Sequence, residues 1–448
     1  MTTLFEPGVE SVDYDVVKVL RERTGEVLQQ RRRTIEANGR QLSEGDLRAL
    51  ALDIIADELQ ALSSERINSG QVPLSLEEEE RLTTAVAAAL HGAGRIQPWL
   101  ENPDVENIDA NGFDNVFVSF ADGSQEKVGP IAESDEDMIE MIRVLAATSG
   151  LSSRPFDSNN TQLDLRLPDG SRLSAVMAVS NRPSLSVRRK RLRVARLSEL
   201  RANGTVTPEI EAFLTAAVRA RLNIMIAGEV NSGKTTLLQA IANEISPRER
   251  LITIERSLEL DLHELKELHP NVMALEERLA NAEGQGYVSM ASLVRRSLRS
   301  NPQRVIVGEV LGDEVVAMLN AMSQGNDGSL STVHANSSED VFQKLSTYAI
   351  QAEERLPIHA SQLLIANALK LVVFVNRDED PVTGLQRRRV TSIREVSGYA
   401  DERVTSSEIY GLDENDNVVP NAPMTDRTRQ RLERQGFVVG DYDFPGRW

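Results

Sequence analysis

One segment decides what kind of fold this chain must adopt. Residues 228–235 read GEVNSGKT, a complete G-x-x-x-x-G-K-[ST] between an apolar run (NIMIA) and an amphipathic one (TTLLQAIANEI). Such a motif works where a strand feeds a loop whose backbone N–H groups cradle phosphates at a helix N-terminus. The flanks meet that requirement, and a plain glycine-rich turn before a helix would need neither the lysine nor the hydroxyl. The candidate nucleotide contacts are Gly228, Asn231, Ser232, Gly233, Lys234, Thr235 and Thr236. Lys234 is expected to reach the β- and γ-phosphates and Thr235 to ligate Mg²⁺, so ATP and Mg²⁺ are the expected ligands.

Cradling phosphates is not hydrolysis, which needs a positioned water, a metal and positive charge at the γ-phosphate. Residues 304–309 (RVIVGE) form an apolar strand ending in Glu309, the form of a Walker B element. An acid there lies on the sheet edge where α/β folds place ligands, and the P-loop beside it favours that reading over a surface acid after a core strand. Residues 253–255 (TIE) repeat the pattern, making Glu255 a candidate hold on the metal's water and, with Thr235, a candidate for the metal site. Residues 330–334 (LSTVH) end a strand in His334, read as a polar sensor of the γ-phosphate in preference to a structural histidine. His91, His263, His269 and His359 form no metal-ligand spacing.

These strands set the fold class. Apolar runs at Asn223–Ala227, Leu251–Ile254, Arg304–Val307, Leu330–Val333 and Leu371–Val375 alternate with helical stretches, which predicts a parallel sheet covered on both faces. Thr207-Pro208-Glu209 reads as an N-cap, a proline at the first helical position and an acid in the first turn. With 448 residues the chain is too long for one core, and three textures divide it. Residues 1–90 read as a helical extension, with caps expected at Ser43 and at Ser75 with Glu78. Residues 91–205 read as a smaller α/β domain, with a hairpin at Gln162–Leu167 turning at Asp169–Gly170, and 206–448 as the ATPase core. The basic run Val187–Arg196 reads as a solvated or inter-subunit edge strand at least as well as a nucleic-acid contact.

Charge narrows the partners. Fifty basic against 68 acidic residues give a net charge of −18, and aromatics are 4%. Neither attracts nucleic acid, whose channels use positive grooves and stacking rings. Cysteine is absent, which removes disulfides and thiolate chemistry. No run approaches the roughly 20 apolar residues of a membrane helix. A cytoplasmic chain without direct membrane insertion is expected, peripheral at the inner face of the cytoplasmic membrane only through partners.

The order of P-loop, TIE, VGE and STVHAN resembles the type II/type IV secretion ATPases, in particular the CpaF-like branch that powers Flp/Tad pilus assembly. The family's Asp box corresponds to Ile252–Leu260, its Walker B to Val305–Gly312 and its His box to Gly328–Asn336. Gly94–Gly112, Leu167–Leu173, Ser186–Arg189 and Thr207–Leu222 extend the likeness from residue 91 to about 440. The resemblance implies a RecA-like P-loop core and a homohexameric ring, with ATP between an N-terminal and a RecA-like domain. It also implies inner-membrane platform proteins of a pilus or secretion machine as partners. Glu309 would polarise the attacking water, Glu255 support Mg²⁺, and His334 couple the γ-phosphate to the subunit interface. Arg172 and Arg188 stand where family arginines reach toward the nucleotide.

This sequence departs from the family in places. Arg256 follows Glu255 where Asp is usual, Leu311 replaces an arginine after Walker B, and the P-loop interior is EVNS. The groups with direct roles (Lys234, Thr235, Glu309, His334) remain, which favours a compensated charge rearrangement over a slowed enzyme. The leading expectation is an ATP-hydrolysing motor for pilus assembly or protein secretion. The alternatives are a conjugation-type secretion ATPase, a nucleotide-gated scaffold with little turnover, and a nucleic-acid translocase, which the charge disfavours.

Overall fold

The computed structural model describes residues 12–37, 42, 44–91, 93–148, 156–167, 169–190, 194–278, 280, 284–379 and 386–438. The chain divides into two compact units, Met1–Arg191 and Leu192–Trp448.

The first unit opens with three helices, α1 (Tyr14–Ala37), α2 (Glu44–Asn68) and α3 (Leu76–His91). They enclose Leu20, Ile55, Leu59, Leu82 and Val86 in a core of their own. The expected cap of α3 is present: Glu78 N–H donates to Ser75 Oγ at 3.2 Å, and Ser75 N–H to Glu78 Oε2 at 2.8 Å. Ser43 lies outside the described residues. Next come α4 (Gln97–Glu101), β1 (Val105–Asn111), β2 (Val116–Phe120), β3 (Gln125–Val128), α5 (Asp135–Thr148), β4 (Gln162–Arg166), β5 (Arg172–Val176) and β6 (Ser184–Arg188). The strands form an antiparallel sheet in the order β3-β2-β1-β6-β5-β4. Period-two alternation buries one face: Leu163, Leu173, Leu185 and Val187 join Met138 and Ile142 of α5. The predicted hairpin is β4–β5, and its turn holds Gly170 at φ 88°.

The edge-strand reading does not hold for Val187 and Arg188, the part of the basic run that lies in a strand, and 191–193 lie outside the described residues. β6 lies inside the sheet between β1 and β5. Its alternation puts Leu185 and Val187 in the core and Ser186 and Arg188 outside, so the strand needs no edge to keep its arginine solvated.

The second unit contains α6 (Leu197–Ala202), α7 (Pro208–Arg219), β7 (Ile224–Gly228), α8 (Lys234–Ala242), β8 (Leu251–Glu255), β9 (Val272–Glu276), α9 (Met290–Ser297), β10 (Arg304–Val310), α10 (Glu314–Ser323), β11 (Leu330–His334), α11 (Asp340–Gln351), α12 (Ile358–Ala368), β12 (Leu371–Glu379), β13 (Gln386–Ala400), β14 (Arg403–Leu412), β15 (Val418–Pro420) and α13 (Asp426–Glu433). All five predicted apolar runs contribute strands. β12-β7-β11-β10-β8-β9 are parallel neighbours, and β13, β14 and β15 extend the sheet antiparallel beyond β12. Ile224 and Ile226 of β7 point into one core with α7 and α8, and Met225 and Ala227 into another with α10 and α12. A strand buried on both faces cannot alternate with polar residues, which is why these runs are apolar throughout. The α7 cap is the one read from sequence: Thr207 Oγ1 accepts from Ile210 N–H at 3.2 Å, with Pro208 in the first turn.

Asn223, just before β7, is buried and fully satisfied. Its Nδ2 donates to the Met322 and Ala368 carbonyls at 2.8 and 2.7 Å, and its Oδ1 accepts from Gly328 and Ser329 N–H at 2.8 and 3.0 Å. An unsatisfied buried amide would be destabilising; this one ties α10, α12 and the β11 approach to the strand that carries the P-loop.

Candidate active site

The parallel topology brings the candidate groups together. β11 lies between β7 and β10, and β8 flanks β10, so the P-loop, His334, Glu309 and Glu255 leave neighbouring strands at the same sheet edge. Register is close: Gly228 pairs with His334 on one side and with Val375 on the other. Gly228 is obligatory, because a Cβ there would lie 2.3 Å from the Val375 carbonyl oxygen and 2.6 Å from Ser232 Oγ. Asn231 and Gly233 sit in the left-handed region, at φ 61° and 95°. Such positions turn successive N–H groups into an anion-binding concavity. α8 starts at Lys234, so the helix N-terminus faces the same point.

Three side chains form a continuous chain. Lys234 Nζ donates to the Glu229 carbonyl at 2.8 Å and lies 3.0 Å from His334 Nδ1. His334 Nε2 is 2.8 Å from Glu309 Oε1. An ammonium only donates, so Nδ1 accepts and the ring proton sits on Nε2, donated to Glu309. Burial and the neighbouring Lys234 charge hold the imidazole below its usual pKa, against the pull of Glu309, which agrees with this neutral tautomer. Glu309 reaches His334 from a break in the β10–β11 register between Val307 and Val310, and Thr332 Oγ1 pins that break by donating to the Gly308 carbonyl at 2.8 Å.

Glu255 is 3% exposed at the end of β8. Its Oε2 accepts from Glu259 and Leu260 N–H at 2.8 and 3.0 Å, whereas Oε1 is buried without a hydrogen-bond partner. Burial pushes this carboxyl up to about 7, with the two N–H bonds opposing. Gly308 makes the space, since a Cβ there would lie 2.9 Å from Glu255 Cγ. Ser232 Oγ is likewise buried without a partner. Two orphaned oxygens and a left-handed loop at a helix N-terminus fit a phosphate ester with a divalent cation. Among the described residues no group of three or more His, Asp or Glu forms a metal cage. Mg²⁺ held through phosphate needs none, only one or two protein oxygens.

Arg172 and Arg188 belong to the first unit, where they face each other directly on β5 and β6 and are exposed. At the departures, Arg256 pairs with the buried Glu277 at 3.3 Å, and Leu311 N–H donates to Glu314 Oε1 at 2.6 Å. The sequence reading missed Arg388 and Arg377. Arg388 Nε donates to the Asn231 carbonyl at 2.9 Å. Arg377 lines a cavity of about 660 Å³ with Glu229, Val230, His334, Asn336 and Lys344. Three consecutive arginines at 387–389 hide from the sequence which of them faces the loop.

Comparison with known proteins gives the family. Residues 90–406 match the model of the type II/IV secretion system proteins. The chain belongs to that family. Within it, a putative conjugal transfer protein of Mycobacterium tuberculosis is 32% identical over 334 residues, covering 72% of this chain and 90% of that protein. VirB11 of Agrobacterium fabrum is 29% identical over 308 residues, covering 62% of this chain and 86% of its own. Among solved structures, the VirB11 ATPase of Brucella suis covers 66% of this chain and 94% of its own at 27% identity and a TM-score of 0.35. The ATPase DotB of Legionella pneumophila covers 68% and 80% at 18% identity and a TM-score of 0.46. This member of the secretion ATPase family has, among its described residues, no helix long and apolar enough to cross a membrane.

Proposed function

We propose that the chain hydrolyses ATP with Mg²⁺ and, as a homohexameric motor of the CpaF-like branch, powers pilus assembly or protein secretion at inner-membrane platform proteins. The carrying observation is the Lys234–His334–Glu309 chain, which links the phosphate-binding lysine to the Walker B acid through one imidazole. In this reading the P-loop amides and Lys234 bind the β- and γ-phosphates. Thr235, with Glu255 acting through water, would hold Mg²⁺, which would supply neutralisation of the phosphate charge. Glu309 accepts the proton of the water that attacks the γ-phosphorus, and the bond from that phosphorus to the β–γ bridging oxygen breaks, leaving ADP and phosphate. When Lys234 turns to phosphate, His334 Nδ1 loses its donor. The ring then reports phosphate occupancy to Glu309, and its release on hydrolysis resets the chain. Arg172 and Arg188 supply guanidinium groups suited to phosphate.

The test is steady-state phosphate release by the full chain, wild type against Glu309→Gln, with nucleotide binding followed in parallel. The variant is expected to bind ATP and lose at least about a hundredfold in turnover. Equal rates above background would remove Glu309 from catalysis, and binding without turnover in either protein would favour the nucleotide-gated scaffold. The Mycobacterium tuberculosis relative, described as a putative conjugal transfer protein, favours a conjugation-type motor as the second reading. Turnover stimulated by DNA would support it against the protein-transport reading.

A further inference from the structure

The loop between β7 and α8 is tied at Glu229, whose carbonyl accepts from Lys234 Nζ at 2.8 Å, and has less to fix its later corners. Glu229 and Val230 are exposed, Val230 by 64%, and the bond from Ser232 N–H to the Glu229 carbonyl is long at 3.4 Å. Yet phosphate binding depends on two left-handed corners, Asn231 and Gly233. Glycine adopts that conformation freely, whereas asparagine only tolerates it, so the Asn231 corner needs help to persist.

That help comes from far along the chain. Arg388 Nε donates to the Asn231 carbonyl, and Arg388 Cδ stands 3.4 Å from where a Cβ on Gly233 would be, so one side chain lies beside both corners. Its strand is a firm base. On the opposite face Arg387 and Arg389 are held by Asp378 and Asp416 at 2.7–2.8 Å, and Val390 N–H donates to the Thr205 carbonyl at 2.9 Å. Arg377 pairs directly with Arg388 across β12–β13 and lines the cavity beside Glu229 and His334, so the hairpin presents two guanidinium groups beside the phosphate loop.

We propose that Arg388 is a positioning residue of the phosphate cradle: it holds the Asn231 corner left-handed, and nucleotide affinity depends on it without contact to the reacting atoms. The proposal rests on the nucleotide reading of the P-loop. It makes the antiparallel hairpin, an addition to the parallel core, part of the binding apparatus.

Two variants of the full chain separate the donated bond from packing. Arg388→Met keeps a stem over Gly233 and removes the donor, whereas Arg388→Lys keeps a cation that reaches a carbonyl. Arg388→Met is expected to raise the Kd of a fluorescent ADP analogue and the KM for ATP about tenfold, with kcat within about twofold, the mark of lost uniform binding. It should also speed amide hydrogen exchange across residues 228–235 without nucleotide while leaving the thermal midpoint in place. Arg388→Lys should recover most of the affinity. Wild-type affinity and exchange in Arg388→Met would overturn the proposal, as would equal losses in both variants with lowered thermal midpoints, which mark a merely structural arginine. If the wild type binds no nucleotide, the P-loop reading fails, and the exchange comparison alone decides Arg388.

Discussion

His269 lies in the second unit with Nε2 2.9 Å from Asn243 Oδ1 and Nδ1 buried without a hydrogen-bond partner. Burial drives its pKa down to about 4, so the folded protein holds it neutral. The unfolded chain takes up that proton from about pH 6.5. Between pH 6.5 and 4 the unfolded state therefore binds more protons, and the stability His269 contributes above that window is lost as pH falls through it. At pH 5 the loss is about 2 kcal/mol. A His269→Gln variant cannot take up the proton, so its stability should fall less from pH 7.5 to pH 5 by that amount, measured by urea unfolding. Parallel curves for the two proteins would refute the assignment. At this same scale, the candidate catalytic groups were legible because each has a position in the chain pattern: Lys234 inside a spaced motif, Glu309, Glu255 and His334 each closing an apolar run. Arg388 has no such marker. It joins the loop across 157 positions of sequence through its contact with Asn231, and only the fold makes that contact visible.

Between elements, Arg304 ties several segments at once. It starts β10 at 1% exposure and grips Glu249 with Nε and Nη2 at 2.8 and 2.7 Å. Its Nη1 donates to the Val218 and Gly328 carbonyls at 3.0 and 3.2 Å, joining the end of α7 to the approach of β11. Gly328, at φ 87°, is bare where this happens: a Cβ there would lie 2.5 Å from Nη1. Removing one partner of a buried pair strands the other charge, and Arg304→Met is expected to cost about 3 kcal/mol, somewhat relieved because Arg221 also pairs with Glu249. Because the tie lies at the strand starts, away from the P-loop edge, ADP affinity well below the melting range should not change. A loss under about 1 kcal/mol in urea, or a large loss of affinity, would contradict this account. A buried arginine leaves no trace in periodicity, and in the sequence Arg304 only opens an apolar run. The antiparallel strands β13 to β15 were hidden for a related reason: charges in residues 386–389 (QRRR) mask the alternation that continues into Val390 and Ile393.

For the whole molecule, the question is whether the first unit serves the nucleotide chemistry of the second. Arg166, Arg172 and Arg188 occupy one register row across β4, β5 and β6, in a chain whose net charge is −18. Such a row suits an anionic partner, and it equally suits contacts that hold the sheet itself. The two explanations move stability and activity in different directions. If Arg188 serves phosphate, Arg188→Ser leaves the thermal midpoint in place while ATP turnover falls at least about tenfold, as for an arginine that offsets developing phosphate charge. If Arg188 only supports the sheet, the midpoint falls and turnover measured well below it is kept. Scanning calorimetry and phosphate release on one full-chain preparation distinguish these outcomes, and the second would leave the P-loop, His334 and Glu309 as a site confined to the second unit. The same variant separates the motor from the scaffold at this scale, because a scaffold that binds nucleotide without turnover has no rate for Arg188→Ser to lower.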